Sequence, residues 1–170
     1  MASFPLFINR LLRCEGGFVN HPNDYGKCTN KGITLGVFQS HYGSGVNCED
    51  LKTLTDEQAS KIYKSDYWDV CKADKIKSQR VANLLVDFAV NSGCKTAIKA
   101  LQRVLGVSVD GVVGNQTLSA LNAFSDDSFV YDAFMDERKE FYYRIVARDE
   151  SQEVFLEGWL NRLKSWERQQ

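Results

Sequence analysis

Apolar side chains recur at helical spacing through most of the 170-residue chain, with one long interruption. Residues 3–15 show the pattern most clearly, with apolar residues at i, i+3, i+4, i+7 and i+8: Phe4, Phe7, Ile8, Leu11 and Leu12. Between residues 18 and 48 that spacing is lost, and the segment is rich in Gly, Asn, Asp, Thr and Tyr. We therefore predict a mainly α-helical fold that carries a small loop or β-hairpin insertion.

Helical patterns resume after residue 48. A capping box is expected at Thr55, where the hydroxyl and the side chain of Gln58 each accept a backbone N–H of the first turn. Five further amphipathic segments are predicted: 79–92, 96–105, 117–123, 128–148 and 152–166. No low-complexity linker interrupts the chain, so we expect residues 94–170 to pack on residues 1–93 as one compact unit, with the seam near Ser92-Gly93.

The charge balance excludes several classes of partner. The chain has 21 basic and 22 acidic side chains and no block of five like charges, so a nucleic-acid ligand is not expected. No run of eighteen apolar residues occurs, and membrane insertion is therefore not expected either. With two histidines and no Cys-x-x-Cys pair, the sequence predicts no metal site and no cofactor.

Five cysteines are scattered along the chain: Cys14, Cys28, Cys48, Cys71 and Cys94. The N-terminus lacks the basic segment, the long apolar run and the small-residue cleavage site of a secretory signal peptide. We therefore expect synthesis in the reducing cytoplasm with five free thiols. Action outside the cell would then require another route of release.

A carboxyl group ends the first helical pattern. Glu15 lies three turns after Phe4 on the same apolar face, and Gly16-Gly17 ends the helix behind it. An apolar surrounding and the negative end of a helix dipole both favour the protonated form of a carboxyl group. Cleavage of a glycosidic bond needs such an acid and a second polar group, which Asp24 in the polar loop can provide. The alternative is that Glu15 is an ordinary helix-terminal residue without a catalytic role.

The segment from residue 15 to residue 34 resembles the signature of glycoside hydrolase family 108, lysozyme-like muramidases of phages and bacteria. The matching positions are Glu15, Gly16, Gly17, Asn20, Pro22, Asp24, Gly26, Thr29, Gly32, Ile33 and Thr34. The sequence departs from the pattern at Lys27 and Cys28, where the family usually has a glycine and a small residue. That departure concerns the local turn and leaves both carboxylates in place.

The resemblance implies a lysozyme-like fold and a general-acid role for Glu15 in cleaving the β-1,4 bond after N-acetylmuramic acid. Asp24 and Thr29 follow Glu15 in the same order as in related phage lysozymes. Thr34 is a further candidate, which orients water or closes a hairpin. The implied partner is the glycan strand of peptidoglycan, and no cofactor is implied.

Later motifs extend the resemblance over nearly the whole chain. Residues 63–68 and 87–93 match the family, and residues 100–121 are similar to the peptidoglycan-binding segment that follows the catalytic part. We therefore interpret residues 1–93 as catalytic and residues 94–170 as peptidoglycan-binding. The candidate substrate-binding residues are Asn20, Tyr67, Trp68, Asp87 and Asn91.

Two of these assignments have structural alternatives. Asp87 and Asn91 are four residues apart on one helix face, where they line the floor of a cleft or satisfy loop backbone groups. Of Tyr67 and Trp68, we expect one to face the cleft and stack on a sugar ring, because a tryptophan is also a common core residue.

Three other functions are alternatives to glycoside hydrolysis. Cys14 close to His21 suggests a thiol nucleophile, but Cys14 ends an apolar helix, and we expect a buried, inert thiol there. The second alternative is a protein that binds peptidoglycan without cleaving it, which loss of Glu15 would indicate, and Glu15 is present. The third is a secretion-linked regulatory protein.

Overall fold

The computed structural model describes residues 1–20 and 28–167. It divides into an N-terminal unit, Phe4–Asp66, and a C-terminal unit, which comprises Met1–Ser3 and Tyr67–Gln170. Helices dominate both units, and the described strands form one small sheet. The mainly α-helical, lysozyme-like fold class expected from the sequence is confirmed. No helix of the described residues has the length and apolar character needed to cross a bilayer.

The N-terminal unit contains four helices in its described part: α1 (Phe4–Cys14), α2 (Leu35–Tyr42), α3 (Cys48–Lys52) and α4 (Asp56–Tyr63). Helix α1 buries Phe7, Ile8 and Leu11 of the predicted stripe and contacts α4. The Thr55 capping box is present at the start of α4. The core of this unit therefore forms from the apolar face that leads up to Glu15.

Three short strands form the β insertion: β1 (Val19–Asn20), β2 (Cys28–Asn30) and β3 (Ile33–Thr34). They pair antiparallel in the order β1-β2-β3. Asn30 pairs with Ile33, so the turn between β2 and β3 has only two residues, Lys31 and Gly32. Both have positive φ, +49° and +76°, as a type I′ hairpin turn requires.

Helix α2 was not predicted, because the glycine-rich composition of residues 18–48 indicated only loop and hairpin. Thr34 provides the start signal, since its hydroxyl accepts the backbone N–H of Val37 at 3.4 Å. Phe38 anchors the helix in the core. The helix has one strongly buried residue, so it shows no extended apolar stripe for the sequence to reveal.

The prediction of five free thiols is wrong. Cys28 and Cys48 form a disulfide that joins β2 to α3. Their spacing matches no recognised motif, so the sequence offered no signal for the pairing. The side-chain amide of Asn30 strengthens the same junction by donating to the carbonyl oxygens of Leu51 and Lys52 at 2.9 and 3.2 Å. β2 is therefore held on α3 both covalently and by hydrogen bonds.

The other three cysteines are free, and one of them differs from expectation. Cys71 is buried and Cys94 is partly buried, but Cys14 is exposed. Cys14 lies at the last position of α1 and outside the set that the helix buries. The expected buried thiol at this position is thus not found.

The C-terminal unit is built from five α-helices in its described part: α5 (Gln79–Ser92), α6 (Cys94–Leu105), α7 (Asn115–Asn122), α8 (Ser128–Arg148) and α9 (Glu153–Glu167). Short turns of π-helix (Lys64–Trp68) and 3₁₀-helix (Ala73–Lys75 and Glu150–Gln152) complete the element list of the described chain. Helix α5 is central, because every residue from Val81 to Ala89 is buried. It packs against α6 and α8, and α8 packs against α9.

The seam expected near Ser92-Gly93 is a tight helix–helix turn. Gly93 has a φ of +87° and connects the end of α5 to the start of α6. The two helices then pack against each other within the C-terminal unit. Helix α5, on the N-terminal side of the seam, therefore shares a core with the helices that follow it.

Candidate active site

Glu15 directly follows α1, where the chain leaves the helix. Its backbone N–H donates to the carbonyl oxygen of Leu11 at 3.0 Å, which continues the helical pattern by one residue. The side chain is half-buried. A carboxyl group in this position is fixed by a packed helix while it remains accessible to a substrate.

Gly32 of the hairpin turn lies directly against the Glu15 carboxyl group. A Cβ atom added to Gly32 would come within 2.6 Å of Glu15 Oε2 and within 2.5 Å of Tyr63 Oη. Real Cβ atoms do not approach other atoms so closely, so any larger residue at this position would force the Glu15 or the Tyr63 side chain to shift. The positive φ of Gly32 gives a second, independent reason for glycine at this position.

Tyr63 holds the hairpin turn from the other side. Its ring is buried in the core, and its hydroxyl donates to the carbonyl oxygen of Lys31 at 2.7 Å. The Lys31 ammonium group forms an ion pair with Asp56 at the start of α4. The turn that faces Glu15 is therefore attached to α4 through Tyr63 and Asp56. These contacts hold Lys31 at a positive φ, a conformation that is unfavourable for a lysine.

The two threonines predicted as site residues lie side by side on the sheet. Thr29 of β2 pairs with Thr34 of β3 and with Val19 of β1. Thr34 is exposed and caps α2, and its place opposite Thr29 is compatible with both roles left open for it, orienting water and closing the hairpin. Asn20, the candidate substrate contact on β1, is exposed and pairs with Cys28.

Asp24, the second candidate carboxylate, lies outside the described residues. Its proposed role rests on its position in the sequence motif, nine residues after Glu15 and five before Thr29. The structure thus brings together Glu15, Gly32 and Tyr63, and beside this turn it pairs Thr29 with Thr34.

The two candidate aromatic residues differ in exposure. Trp68 is 1% exposed, so its ring belongs to the core and presents no face to a sugar. Tyr67 is half-exposed and keeps the stacking hypothesis open. Both lie in the π-helical turn Lys64–Trp68, and such turns are frequent at functional sites.

Asp87 is buried in an ion-pair network of the C-terminal unit. It is 1% exposed and accepts hydrogen bonds from Arg138 Nη2 at 2.7 Å and from Arg162 Nη2 at 2.8 Å. These contacts connect α5 to α8 and α9. The geometry favours a structural role for Asp87, because a carboxylate enclosed by two guanidinium groups is not open to a substrate.

Asn91 extends this network toward the protein surface. Its side-chain oxygen accepts a hydrogen bond from the Tyr142 hydroxyl at 2.9 Å. The oxygen of that hydroxyl in turn accepts a hydrogen bond from Arg138 Nε at 2.8 Å. Burial is the main cause that raises the pKa of Tyr142 above its usual value. Asn91 is half-buried, so its role in binding a substrate stays a prediction.

Sequence reasoning missed the contacts that position these groups. The sequence identifies Gly32 only as a motif residue and Tyr63 only as the first residue of the family-matching segment 63–68. It assigns no role to Arg138 or Arg162. The relevant signal for Gly32 was its place after Lys31 between two short β-prone segments, a pattern typical of a two-residue hairpin turn.

Family models match both halves of the sequence. Residues 8–93 match the model for "Glycosyl hydrolase 108". The chain belongs to the glycosyl hydrolase 108 family. Residues 96–164 match a second model, described as "Predicted Peptidoglycan domain". The glycosyl hydrolase 108 match contains Glu15 and the whole β insertion, and the second match covers nearly all of α6 through α9.

A solved structure resembles this glycosyl hydrolase 108 member closely. SagA from Brucella abortus shares 32% sequence identity with a TM-score of 0.81, and the alignment covers 96% of this chain and 90% of the SagA chain. No curated protein sequence is significantly similar to this one. Among the described residues, no group of three or more His, Cys, Asp or Glu side chains is arranged to bind a metal ion.

Proposed function

We propose that this protein hydrolyses the β-1,4 bond between N-acetylmuramic acid and N-acetylglucosamine in peptidoglycan, with Glu15 as the general acid. Membership of a glycoside hydrolase family and the peptidoglycan-domain match support this class of reaction. The observation that carries the proposal is the half-buried carboxyl group of Glu15, held at the end of α1 against Gly32 and near Tyr63.

The reaction begins with proton transfer from the Glu15 carboxyl group to the glycosidic oxygen. The bond between that oxygen and C1 of N-acetylmuramic acid then breaks, and the N-acetylglucosamine side leaves as an alcohol. Positive charge develops at C1 and on the ring oxygen, and a nearby carboxylate stabilises it. In our proposal Asp24 supplies this carboxylate, and Thr29 and Thr34 act on the attacking water from the adjacent sheet.

Water completes the reaction by adding to C1, and its proton restores the acid form of the site. The rigid hairpin turn contributes by restricting the Glu15 side chain. A positioned general acid typically accelerates such reactions about 100- to 10,000-fold. A freely rotating carboxyl group would lose much of this effect, because proton transfer needs near-linear geometry at hydrogen-bond distance.

We also propose that the protein acts on the cell wall, outside the cytoplasm. The Cys28–Cys48 disulfide supports an oxidising site of action, because disulfides persist in such compartments and are rare in the cytosol.

The test is fragment analysis of purified peptidoglycan with wild type, Glu15→Gln and the exposed control Glu157→Gln. We expect wild type and the control to release sugars with N-acetylmuramic acid at the new reducing end. Glu15→Gln should fold normally, with the rate reduced about 100-fold or more, because an amide cannot donate an acidic proton. Substantial activity in folded Glu15→Gln would contradict the proposal.

The same assay separates hydrolysis from the alternative function. A protein that binds peptidoglycan without cleaving it, or a secretion-linked regulator, would sediment with the wall and release no fragments. Glu15 and its enclosure by Gly32 and Tyr63 argue against this alternative, because binding alone does not require a positioned acid.

A further inference from the structure

A basic groove runs between α6 and α8 in the C-terminal unit. It has a volume of about 460 Å³ and is lined by Thr96, Lys99, Arg103, Phe141, Arg144 and Arg148. The lining residues recur at i, i+3 and i+7 on α6, and at i, i+3 and i+7 on α8. Each helix therefore presents one continuous stripe to the groove.

One carboxylate fixes two of the four cations. Glu137 Oε1 accepts a hydrogen bond from Arg103 Nη2 at 2.7 Å and from Arg144 Nη2 at 3.0 Å. This shared contact holds the two guanidinium groups side by side across the groove. Both remain nearly half-exposed, at 44% and 45%, so their other N–H groups can bind a ligand.

The remaining two cations leave a local excess of positive charge. Within residues 1–20 and 28–167, neither Lys99 nor Arg148 is within ion-pair distance of a carboxylate. The pKa of Asp110 is lowered mainly by the hydrogen bond from Gln102. The positive charge of Lys99 also lowers this pKa, but it is the smallest of the causes. Four cations thus line this groove, and Glu137 forms ion pairs with only two of them, although the whole chain carries a net charge of −1.

An aromatic ring provides an apolar surface between the cations. Phe141 is half-buried and packs edge-on against Phe88 of α5, with 5.2 Å between ring centroids. Its position is therefore fixed by the core. A ligand suited to this groove carries several negative groups separated by short apolar segments.

From this geometry we infer that the groove binds the carboxylates of peptidoglycan stem peptides. The inference rests on the proposed function, which makes peptidoglycan the substrate. The glycan backbone is uncharged once its lactyl groups are joined to peptide, so the negative charges of peptidoglycan lie on the stem peptides. The groove lies within the segment that matches the peptidoglycan domain. It would therefore favour glycan that still carries its peptides over bare glycan.

The experiment measures binding to two soluble fragments by calorimetry. One is a disaccharide bearing its stem peptide, and the other is the same disaccharide with its lactyl carboxyl group capped as a simple amide instead of a peptide. All proteins are full-length and carry Glu15→Gln, so no ligand is cleaved. The groove variant is Lys99→Gln with Arg148→Gln. The matched control, Lys139→Gln with Lys164→Gln, removes two exposed cations elsewhere, since residue 139 lies on another face of α8 than residues 141, 144 and 148.

We expect the groove variant to bind the peptide-bearing fragment about tenfold more weakly than the control does. Affinity for the peptide-free fragment should be equal in both. Added salt should weaken binding of the peptide-bearing fragment more in the control than in the groove variant, because fewer charge contacts remain in the variant.

Two results would overturn the inference: equal affinity of both proteins for the peptide-bearing fragment, or an equal loss of affinity for both fragments. Hydrolysis by the wild-type protein is measured separately. Failure of wall cleavage would reject the proposed function. If the groove variant then still bound the peptide-bearing fragment more weakly than the control, the protein would be one that binds stem peptides without cleaving the glycan.

Discussion

The α-carbon of Gly32 lies so close to the Glu15 carboxyl group that a single added methyl group would stand 2.6 Å from Oε2. The proposed acid and the hairpin turn therefore fit each other at atomic contact. Tyr63 holds the hairpin turn in place, because its hydroxyl donates a hydrogen bond to the carbonyl oxygen of Lys31, the residue before Gly32. We therefore expect catalysis to depend on Gly32 and Tyr63, which position Glu15.

Gly32→Ala should lower both activity and stability. The new methyl group must displace the Glu15 carboxyl group or the Tyr63 ring, and alanine at positive φ costs about 1–2 kcal/mol. We expect kcat to fall about tenfold or more, because small displacements of a catalytic group are costly. Gly36→Ala is the control, since no atom crowds that position of α2 and its stability should be kept or improved. Unchanged kcat in Gly32→Ala would show that this contact does not position Glu15.

Tyr63→Phe removes one hydrogen bond from the turn. The carbonyl oxygen of Lys31 then loses its donor, and we expect the free energy of unfolding to fall by about 1 kcal/mol. Activity should fall with little change in KM, because the substrate-binding surface is intact. Tyr143→Phe is the matched control, as this tyrosine is exposed on α8. A larger effect on KM than on kcat would mean that Tyr63 itself contacts the glycan.

The disulfide can be tested by mass spectrometry and by thermal unfolding. Alkylation of the denatured protein without reductant should label the three free cysteines, Cys14, Cys71 and Cys94, and reduction should make the other two available as well. Closing a loop of this length stabilises by about 3 kcal/mol, so Cys28→Ser with Cys48→Ser should lower Tm by several degrees. Cys14→Ala should leave Tm and wall lysis unchanged. An inactive but folded Cys14→Ala would instead support a thiol nucleophile.

Asp87→Asn should destabilise the C-terminal unit strongly. It leaves Arg138, fully buried, without its carboxylate, and breaking a buried ion pair in this way costs about 3–5 kcal/mol. Denaturant unfolding should show the loss, and Asp132→Asn on the exposed face of α8 should not. If Asp87→Asn kept its stability and lost only affinity for peptidoglycan, the original hypothesis of a cleft residue would be correct.

Truncation after Ser92 should yield an insoluble or unfolded fragment. It would remove α6 and α8, the partners of α5, and expose the buried face that extends from Val81 to Ala89. Solubility and circular dichroism of residues 1–92 would measure this directly. A folded fragment that still lyses peptidoglycan would contradict this expectation.

The sequence predicted the helical framework well because amphipathic spacing reports burial directly. The glycine pair after Glu15 placed this residue at the end of α1. The loss of helical spacing after that pair indicated the hairpin insertion. The sequence could not predict α2, whose start depends on one threonine cap, or the disulfide, whose partners are far apart in sequence. Tertiary contacts decide both features.

The assignment of Asp87 shows the same limit at the level of single residues. A polar pair spaced four residues apart on a helix is compatible with a ligand surface and with an internal ion pair. Only the positions of Arg138 and Arg162, more than fifty residues later, distinguish the two. The local pattern could therefore identify Asp87 as important without indicating why.

The tight turn at Gly93 has a consequence for how such proteins diversify. The boundary between the two family models falls close to this residue, but the hydrophobic core of the C-terminal unit extends across it from α5 to α6 and α8. Recombination at that boundary would join an α5 from one ancestor to α6 and α8 from another and leave mismatched side chains at their interface. Selection should therefore favour inheritance of the two segments together, and chimeric enzymes would need compensating substitutions on α5.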